Sequence, residues 1–219
     1  MFAASKIIVA DDHPLFRSAL RQAIDQTFTS VQIIECDSIA SLEKLCVEHV
    51  DADLVLLDLH MPGAVGYSGL VLIRRQFPDL PVVVISASED ISVMHRSIDY
   101  GASGFIPKSS PLTTISEALQ AVLSGSIWLP EGAKDADANI SSDEQIFASR
   151  VKTLTPQQFR VYLMLTKGLL NKQIADEVSV SEATIRTHMT AIFKKLGVRN
   201  RTQAVLAAQY LSVDDKTVS

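Results

Sequence analysis

The stretch Lys6-Ile-Ile-Val-Ala-Asp-Asp-His-Pro-Leu-Phe-Arg-Ser-Ala-Leu20 shows how the first half of the chain is built. A short apolar run, Lys6–Ala10, ends in two carboxylates, and Pro14 then opens a segment whose apolar side chains recur at helical spacing as far as Thr27. A continuous apolar run is typical of a strand that is buried on both faces, as in a parallel sheet. The stretch therefore predicts one buried strand followed by one helix that covers the sheet.

The same strand and helix unit repeats up to about residue 125. The predicted strands are Lys6–Ala10, Val31–Glu35, Leu54–Leu57, Val82–Ser86 and Gly104–Ile106, and the predicted helices are Pro14–Thr27, Ile39–Glu48, Leu70–Phe77, Ile91–Tyr100 and Leu112–Leu123. This alternation indicates an α/β fold with a doubly wound, five-stranded parallel sheet, because right-handed crossovers place helices on both faces. Any ligand site is then expected at the carboxyl ends of the strands.

The second half of the chain predicts a small all-α domain of four helices. The predicted helices are Thr155–Lys167, Asn171–Val178, Ser181–Leu196 and Asn200–Leu211. Thr155, Asn171 and Ser181 are suited to cap helix amino ends, and Gly168 is suited to a left-handed helix end. The polar, acidic stretch before these helices predicts a linker over residues 126–151, with one helical turn near Gln145–Ser149. The predicted domains are therefore residues 5–125 and 152–213.

Charge is distributed unequally between the two halves. The net charge of the whole chain is −5, but residues 1–149 carry −11 and residues 150–219 carry +6. Two domains with different partners are expected, and the basic domain is suited to a polyanion.

Composition also limits the location and the class of protein. Cys36 and Cys46 have no repeated spacing, so reduced buried thiols are expected rather than a disulfide framework or a zinc site. The apolar runs are too short to cross a bilayer, and the amino terminus lacks the pattern of a signal peptide. We therefore expect a cytoplasmic protein without a membrane partner.

Acidic and basic side chains follow the predicted strands where each strand ends. Asp11 and Asp12 follow the first strand, Asp58 the third, Ser86 ends the fourth, and Lys108 follows the fifth. The ends of parallel strands share one edge, so three carboxylates, a hydroxyl and an ammonium are expected to converge. Like charges at close range are costly unless a cation joins them, and oxygen ligands suit Mg²⁺. A carboxylate beside Mg²⁺ is able to attack a phosphoryl group while Lys108 neutralises the developing charge.

Each of these residues also has a simpler interpretation. An Asp-Asp pair after a strand is common in a turn that caps a helix, and a single lysine is usually solvated. The combination of all four strand ends favours a phosphoryl-transfer site over these separate structural roles.

Four motifs resemble the receiver domain of response regulators over about residues 5–125. They are Val9-Ala-Asp11-Asp12-His-Pro, Leu57-Asp58-Leu-His-Met61-Pro62-Gly63, Ser86-Ala87 and Gly104-Phe-Ile-Pro-Lys108. The resemblance implies a flavodoxin-like sheet and phosphorylation of Asp58 by a sensor histidine kinase. It also implies that Asp12, Asp58 and the main-chain carbonyl of His60 hold Mg²⁺, with Asp11 acting largely through water.

The resemblance further implies that Ser86 and Lys108 grip the phosphoryl oxygens and that Phe105 is the aromatic switch residue. One departure is the loop Met61-Pro-Gly-Ala-Val-Gly-Tyr-Ser-Gly-Leu70, which is about three residues longer than the usual pattern. Because the loop borders the site, kinase docking or the phosphoryl lifetime is expected to be atypical. His60 is then either an exposed loop histidine or a group that tunes hydrolysis.

The third helix of the basic domain predicts a DNA-reading face. Apolar side chains at Ile185, Met189, Ile192 and Leu196 form an inward stripe. The opposite face presents Arg186, Thr187, Thr190 and Lys194. A cationic, donor-rich helix face is able to enter the major groove, although such a face is more often merely solvated.

This domain resembles the LuxR-type helix-turn-helix over about residues 152–212. The matching motifs are Leu154-Thr-Pro-Gln-Gln-Phe, Asn171-Lys-Gln-Ile-Ala175, Ser181-Glu-Ala-Thr-Ile-Arg-Thr-His188 and Lys195-Leu-Gly-Val-Arg-Asn-Arg201. Both halves together resemble the NarL/FixJ class of response regulators. Gln158 and Arg160 stand where the family usually has acidic residues, so a customary internal salt bridge is expected to be missing.

By this resemblance, Arg186 and Thr187 face the groove of double-stranded DNA, and Lys172, Lys194 and Arg201 contact phosphates. Thr190 stands on the same face, where a basic residue is usual, and is included among the expected DNA contacts. The last helix is expected to form a homodimer on activation that binds half-sites about one helical turn apart. RNA polymerase is a further candidate partner.

Two other functions are compatible with parts of this pattern. A phosphatase or phosphotransferase with an Asp nucleophile would need Asp-x-Asp on the first strand and a capping insertion, and the sequence has neither. The other is a constitutive DNA-binding protein whose receiver serves only for interaction, although its acidic residues are complete. We therefore predict a phosphorylation-controlled transcription factor, not an enzyme.

Overall fold

The protein consists of two compact units that divide between Ile140 and Ser141. The structure is a computed structural model that describes residues 4–134, 136, 138 and 140–213. Each unit has its own buried apolar core. Within the described residues, no helix combines the length and the apolar character needed to cross a membrane.

The first unit contains a five-stranded parallel sheet in the order β2-β1-β3-β4-β5. The strands are β1 (Lys6–Ala10), β2 (Gln32–Cys36), β3 (Leu54–Asp58), β4 (Val82–Ser86) and β5 (Gly104–Pro107). The helices are α1 (Pro14–Thr27), α2 (Ile39–Glu48), α3 (Ser68–Gln76), α4 (Ile91–Asp99) and α5 (Leu112–Leu123). The predicted fold class and strand sequence are confirmed, with shifts of one or two residues at several boundaries.

The register of the sheet places the ends of the strands at one edge. Ala10 pairs with Leu57, Asp58 pairs with Ile85, and Ser86 pairs with Pro107. Strands β3 and β4 are buried at every position because helices cover both faces of the sheet. The residues after each strand therefore reach the same edge from a rigid support.

The first part of the predicted linker is folded onto the first unit. Phe105 donates its N–H to the Trp128 carbonyl at 3.1 Å, and Trp128 donates to the Ser103 carbonyl at 3.1 Å, so this segment pairs with β5. Helix α6 (Glu131–Lys134) follows, and His95 of α4 bonds to the Ala133 carbonyl at 2.7 Å. Main-chain hydrogen bonds hold this segment against β5. The periodicity of apolar side chains in the sequence does not reveal such bonds.

The second unit has one more helix than predicted. It consists of α7 (Ser142–Val151), α8 (Pro156–Thr166), α9 (Asn171–Glu177), α10 (Glu182–Leu196), α11 (Arg201–Ala207) and a 3-10 turn, Ala208–Leu211. The segment 126–151, predicted as a linker with a single turn near Gln145–Ser149, thus contains all of α7. Ser141 and Glu144 form a capping box at its start, and Phe147 and Val151 are buried.

Two of the three predicted helix caps of the second unit are confirmed. Thr155 accepts a hydrogen bond from the Gln158 N–H, and Ser181 accepts one from the Thr184 N–H. The prediction for Asn171 is wrong, because Asn171 is the first helical residue and Leu170 occupies the cap position. The Leu170 N–H is instead satisfied by the side chain of Gln173 at 2.8 Å.

Arg201 ties α11 to the end of α8. Its Nη2 donates to the Leu165 carbonyl at 3.1 Å and to the Leu169 carbonyl at 2.6 Å. Leu165 lies in the last turn of α8, where carbonyls lack a full helical partner and a cation interacts favourably with the helix dipole, and Leu169 lies in the turn that follows α8. Arg201 was predicted to contact phosphate, and the structure gives it this additional structural role.

The two cysteines are free thiols buried in the first unit. Burial raises the pKa of Cys36 to about 12, and neighbouring Cys46 and Asp37 add to the effect. Burial likewise raises the pKa of Cys46 to about 12, with Glu43 contributing. The prediction of buried cysteines outside a disulfide is confirmed.

These thiols should make the first unit sensitive to alkali. Because their folded pKa exceeds the unfolded value, their stabilisation is complete below the unfolded pKa and is lost as the pH rises. The free energy of unfolding should fall by up to about 1.4 kcal/mol per pH unit for each thiol above about pH 9. Urea unfolding under reducing conditions, followed by the fluorescence of Trp128, measures this slope. The variant carrying Cys36→Ala and Cys46→Ala should be less stable at neutral pH but should have a shallower slope; an equal slope would contradict the prediction.

Removal of the Arg201 contacts should destabilise the second unit. Arg201→Ala leaves two carbonyls without their charged donor, and we expect a loss of about 1–3 kcal/mol. The matched control is Lys172→Ala, which removes an exposed cation of the same unit and should change stability by less than about 0.5 kcal/mol. Calorimetric unfolding of both variants without DNA makes the comparison. Equal stability of the two variants would show that the Arg201 contacts contribute nothing.

Candidate functional site

The strand ends bring two buried carboxylates and one ammonium together. Asp11 follows β1, Asp58 ends β3, and both are almost completely buried. Lys108, just after β5, places its Nζ 2.7 Å from Asp11 Oδ2 and 2.9 Å from Asp58 Oδ2. The convergence predicted for Asp11, Asp58 and Lys108 is present.

The charge of Lys108 is held in place by its neighbours. Burial by itself would lower the pKa of Lys108, but hydrogen bonds and charge interactions with Asp11 and Asp58 outweigh burial and raise it. The ammonium also lies 4.9 Å from the centre of the Phe16 ring of α1, which adds a cation–π contact. Lys108 is thus a fixed cation at the edge of the sheet, and Phe16 is a support that the sequence motifs did not reveal.

Asp12 and His13 complete the polar wall of the pocket. Ligand-type atoms of Asp11, Asp12, His13 and Asp58 all lie within 4.8 Å of one another. Asp12 Oδ1 is buried and has no hydrogen-bond partner among the described residues. A buried carboxylate oxygen without a hydrogen-bond donor is suited to bind a divalent cation, since Mg²⁺ is bound by carboxylate oxygens and keeps several of its waters. His13 was missed as a pocket residue, although its position directly after Asp11-Asp12 was a usable signal.

The other predicted residues, Ser86 and Phe105, lie on β4 and β5, the two strands at whose ends Lys108 is held. Ser86 is fully buried at the end of β4, where its Oγ accepts the Ser88 N–H at 3.2 Å. Its carbonyl accepts the Lys108 N–H at 2.7 Å, which joins the ends of β4 and β5. Phe105 is fully buried on β5, three residues before Lys108. The roles of Ser86 and Phe105 in switching stay predictions.

His60 lies beside the predicted acceptor. Its N–H donates to Asp58 Oδ1 at 3.2 Å, and its ring Nδ1 is 3.8 Å from the same oxygen. The imidazole is partly exposed, so both interpretations, an exposed loop residue and a group that tunes hydrolysis, stay open. Metal binding by its carbonyl stays a prediction.

The long loop after Asp58 is anchored by an aromatic pair. Gly63 and Gly66 have left-handed backbone conformations that turn the loop. Tyr67 at its end is fully buried, stacks on Tyr100 with ring centres 4.8 Å apart, and donates to the Val93 carbonyl at 3.4 Å. The extra residues therefore bring a buried side chain to α4 rather than forming only an exposed loop.

Helix α10 carries the predicted basic face. Ile185, Met189, Ile192 and Leu196 are buried, as the periodicity predicted. The predicted contact residues Arg186, Thr187, Thr190 and Lys194 are exposed. Arg186 Nη2 pairs with Glu182 Oε1 at 2.8 Å one turn earlier. Exposed pairs of this kind contribute about 0–1 kcal/mol, so Arg186 is able to exchange Glu182 for another partner at little cost.

The other predicted DNA contacts differ in accessibility. Lys172 is exposed at the start of α9, whereas Arg201 is partly buried and already bonded to carbonyls. Gln158 contacts a cation in spite of its neutral side chain: Lys195 Nζ donates to Gln158 Oε1 at 2.8 Å and to the Thr153 carbonyl at 2.7 Å. Gln158 is thus a neutral acceptor for this lysine.

Comparison with known families assigns both units. Residues 7–120 match the response regulator receiver domain, and residues 152–208 match the bacterial regulatory proteins of the luxR family. The solved structures similar to this chain include RcsB of Salmonella typhimurium, with 25% identity, a TM-score of 0.57, and coverage of 95% of this chain and 99% of that one. RcsB of Salmonella enterica serovar Typhimurium bound to promoter P1flhDC with the phosphomimetic BeF3⁻ is also similar, with 25% identity, a TM-score of 0.55, and coverage of 95% and 100%.

Curated relatives extend over nearly the whole chain. The glycerol metabolism activator of Pseudomonas putida is 41% identical over 93% of this chain and 94% of its own length. The nitrate/nitrite response regulator NarP of Escherichia coli strain K12 is 30% identical over 92% of this chain and 93% of its own length. With both family models matched and the acidic pocket and basic helix in place, the chain belongs to the response regulators that join a receiver domain to a LuxR-type DNA-binding domain, and its relatives include those of the NarL and NarP type.

Proposed function

We propose that a sensor histidine kinase phosphorylates Asp58 and that this modification controls binding of the protein to double-stranded DNA. The observation that carries the proposal is the buried Asp58 carboxylate, 2.9 Å from a fixed Lys108 ammonium and beside two further carboxylates. A carboxylate oxygen of Asp58 would form the bond to phosphorus while the bond between phosphorus and the donor breaks. Lys108 is placed to neutralise the charge that the phosphoryl oxygens develop.

Mg²⁺ is the cofactor that fits this pocket. Asp12, Asp58 and the main-chain carbonyl of His60 would hold it, and Asp11 would act largely through water. When bound, the ion supplies positive charge that offsets the clustered carboxylates and the phosphoryl oxygens. The buried Asp12 Oδ1 without a hydrogen-bond partner among the described residues supports this assignment.

The phosphorylated state would be read at β4 and β5. Ser86 and Lys108, which end one strand and follow the other, would bind phosphoryl oxygens, and Phe105 would repack as the switch residue. Phosphate is able to shift the balance of two conformations only as far as its affinity for them differs. Because Phe105 is bonded through its main chain to Trp128, a shift in β5 has a direct route to the start of the linker.

DNA recognition would be divided between two kinds of contact. Arg186 and Thr187 on the first turns of α10 would reach base edges, with Thr190 beside them, while Lys172, Lys194 and Arg201 would contact phosphates. The similar RcsB structure, which is bound to a promoter in the presence of a phosphomimetic, supports DNA binding by a phosphorylated state. A homodimer on paired half-sites and a contact with RNA polymerase complete the proposal.

The assignment of Asp58 is tested by substitution. Asp58→Asn is nearly isosteric but lacks the nucleophilic carboxylate, so incubation with a small phosphodonor and Mg²⁺ should leave it without a phosphoryl adduct. The measurement is intact mass, and the control is Asp79→Asn, which changes an exposed carboxylate in the turn before β4. An undiminished adduct on Asp58→Asn would place the acceptor elsewhere.

The same reaction separates the competing functions. Treatment of the wild type with phosphodonor and Mg²⁺ should raise its affinity for operator DNA, and treatment of Asp58→Asn should not. Equal operator affinity before and after phosphorylation would favour a constitutive DNA-binding protein. Continuous turnover of phosphodonor with release of phosphate and no DNA binding would favour a phosphatase.

Arg186 and Lys172 should affect DNA binding differently. An arginine paired with guanine contributes about 1–3 kcal/mol of discrimination, so Arg186→Ala should lower the preference for operator over scrambled DNA. Lys172→Ala should weaken binding to both DNAs alike and reduce the salt slope by about one unit. Binding is measured on both DNAs across a salt series. If Lys172→Ala removes the preference and Arg186→Ala does not, α10 has been placed wrongly in the groove.

A further inference from the structure

Two threonines on the exposed face of α10 direct their hydroxyl groups to the backbone of their own helix. Thr187 Oγ1 donates to the Ala183 carbonyl at 3.2 Å, and Thr190 Oγ1 donates to the Arg186 carbonyl at 3.1 Å. Each bond reaches the carbonyl four residues earlier, which is a common arrangement for threonine within a helix. The hydroxyl hydrogen of each side chain is therefore already used by the backbone.

The methyl groups are the part of these side chains that is left to contact a partner. The Cβ atom of threonine carries one hydroxyl and one methyl, so the rotamer that bonds the hydroxyl to the preceding turn also fixes the methyl. Both side chains are exposed. Residues three apart on a helix are neighbours, with Cβ atoms about 5–6 Å apart. Thr187 and Thr190 thus offer two neighbouring methyl groups on the face that is predicted to enter the groove.

We propose that Thr187 and Thr190 recognise thymine in the major groove, through contact of their methyl groups with the C5-methyl groups of the bases. The inference rests on the DNA binding of the proposed function and specifies the bases that α10 reads. Thymine presents a methyl group on its major-groove edge, and the threonine methyl is one of the apolar groups that contact it. Successive base pairs are about 3.4 Å apart along the axis, so two neighbouring methyl groups would reach neighbouring base pairs.

Thr190 gives this chain a different readout from the one that its family resemblance implies. A basic residue is usual at this position, and such a residue donates to the acceptors of guanine or to phosphate. Thr190 has no charge, and its hydroxyl already donates to the Arg186 carbonyl. Arg186 is exposed and remains the cationic donor on the first turns of the helix. We therefore expect half-sites in which thymines lie next to the guanine that Arg186 contacts.

The first experiment identifies the preferred bases from random DNA. Full-length protein treated with phosphodonor and Mg²⁺ selects from a random double-stranded library made with thymine, and from a second library made with uracil, which lacks only the C5-methyl group. The thymine library should yield sites with thymines beside a guanine, and the uracil library should lose the preference at those positions. Equal enrichment of uracil and thymine there would overturn the proposal.

The same selection separates this proposal from the proposed function. It is repeated with untreated protein, so that sites selected equally well without phosphodonor would remove the phosphorylation control but not the thymine readout. Selection of no sequence in either state would overturn both the DNA-binding function and the inference. Selected sites without a thymine preference would overturn only the role of the two threonines.

The second experiment assigns the preference to the methyl groups. Thr187→Ser and Thr190→Ser each remove a methyl group and keep a hydroxyl, whereas valine at either position keeps a methyl group and removes the hydroxyl. On a selected site, replacement of a contacted thymine by uracil should weaken binding of the wild type and the valine variants by about three- to fivefold, the effect of one buried methyl group. The serine variant at the contacting position should bind both DNAs equally.

Thr166→Ser on α8 is the matched control for loss of a threonine methyl group. The Thr166 hydroxyl also donates to a carbonyl of its own helix, that of Leu163, at 2.8 Å. This variant should select the same sites as the wild type and should respond equally to uracil. A thymine preference that survives in both serine variants but is lost in the valine variants would show that the hydroxyl groups read the bases, which would overturn the proposal.

Discussion

The contact of one lysine with two buried carboxylates is the constraint around which the first unit is organised. Asp11 and Asp58 are nearly inaccessible to water, and Lys108 Nζ lies within 2.9 Å of an oxygen of each. Removal of a charge from water is costly, and the cost is recovered only with good geometry, so all three groups must be held rigidly. The parallel sheet provides that rigidity, since its register brings the strand ends to one edge and its covered faces prevent them from moving apart.

The same strands connect this pocket to the start of the linker. The Lys108 N–H bonds to the Ser86 carbonyl at 2.7 Å, and the Phe105 N–H bonds to the Trp128 carbonyl at 3.1 Å. The carboxyl end of β5 is thus bonded to the end of β4 beside the pocket. The other edge of β5 is bonded to Trp128, which lies beyond α5. The bond of His95 to the Ala133 carbonyl holds the next turn against α4. A repositioning of β5 therefore involves main-chain bonds on both of its edges.

Most of the fold could be predicted from apolar periodicity, because a buried strand and an amphipathic helix each leave a clear pattern. Helix α7 was not predicted because its sequence is largely polar, although Ser141 and Glu144 carried the signature of a capping box. The docking of Trp128 depends on main-chain hydrogen bonds, which any sequence is able to make.

The charged residues at the strand ends predicted that Asp11, Asp58 and Lys108 meet in one pocket, whereas the contact of the His13 ring depends on a turn whose geometry the motif does not specify. Arg201 illustrates the same limit, since a basic residue on a helix gives no sign that its partners are one carbonyl at the end of α8 and one in the turn after it.

Phosphorylation of Asp58 would alter the balance of charge that now holds the pocket together. An acyl phosphate carries about −1.5 to −2 charges in place of the single negative charge of the Asp58 carboxylate, so the net change is about −0.5 to −1, and it offers three acceptor oxygens at a site where Lys108 is already shared by two carboxylates. The ammonium has three donors, of which two are engaged by Asp11 and Asp58, so pairing with several phosphoryl oxygens would draw it away from its present partners. Its contact with Asp11 would then weaken, and a bound divalent ion would offset the charge of that carboxylate. The two states would thus differ in the group that pairs with Lys108. Because Lys108 directly follows β5, the change would first displace this strand, which carries Phe105 and is bonded to Trp128.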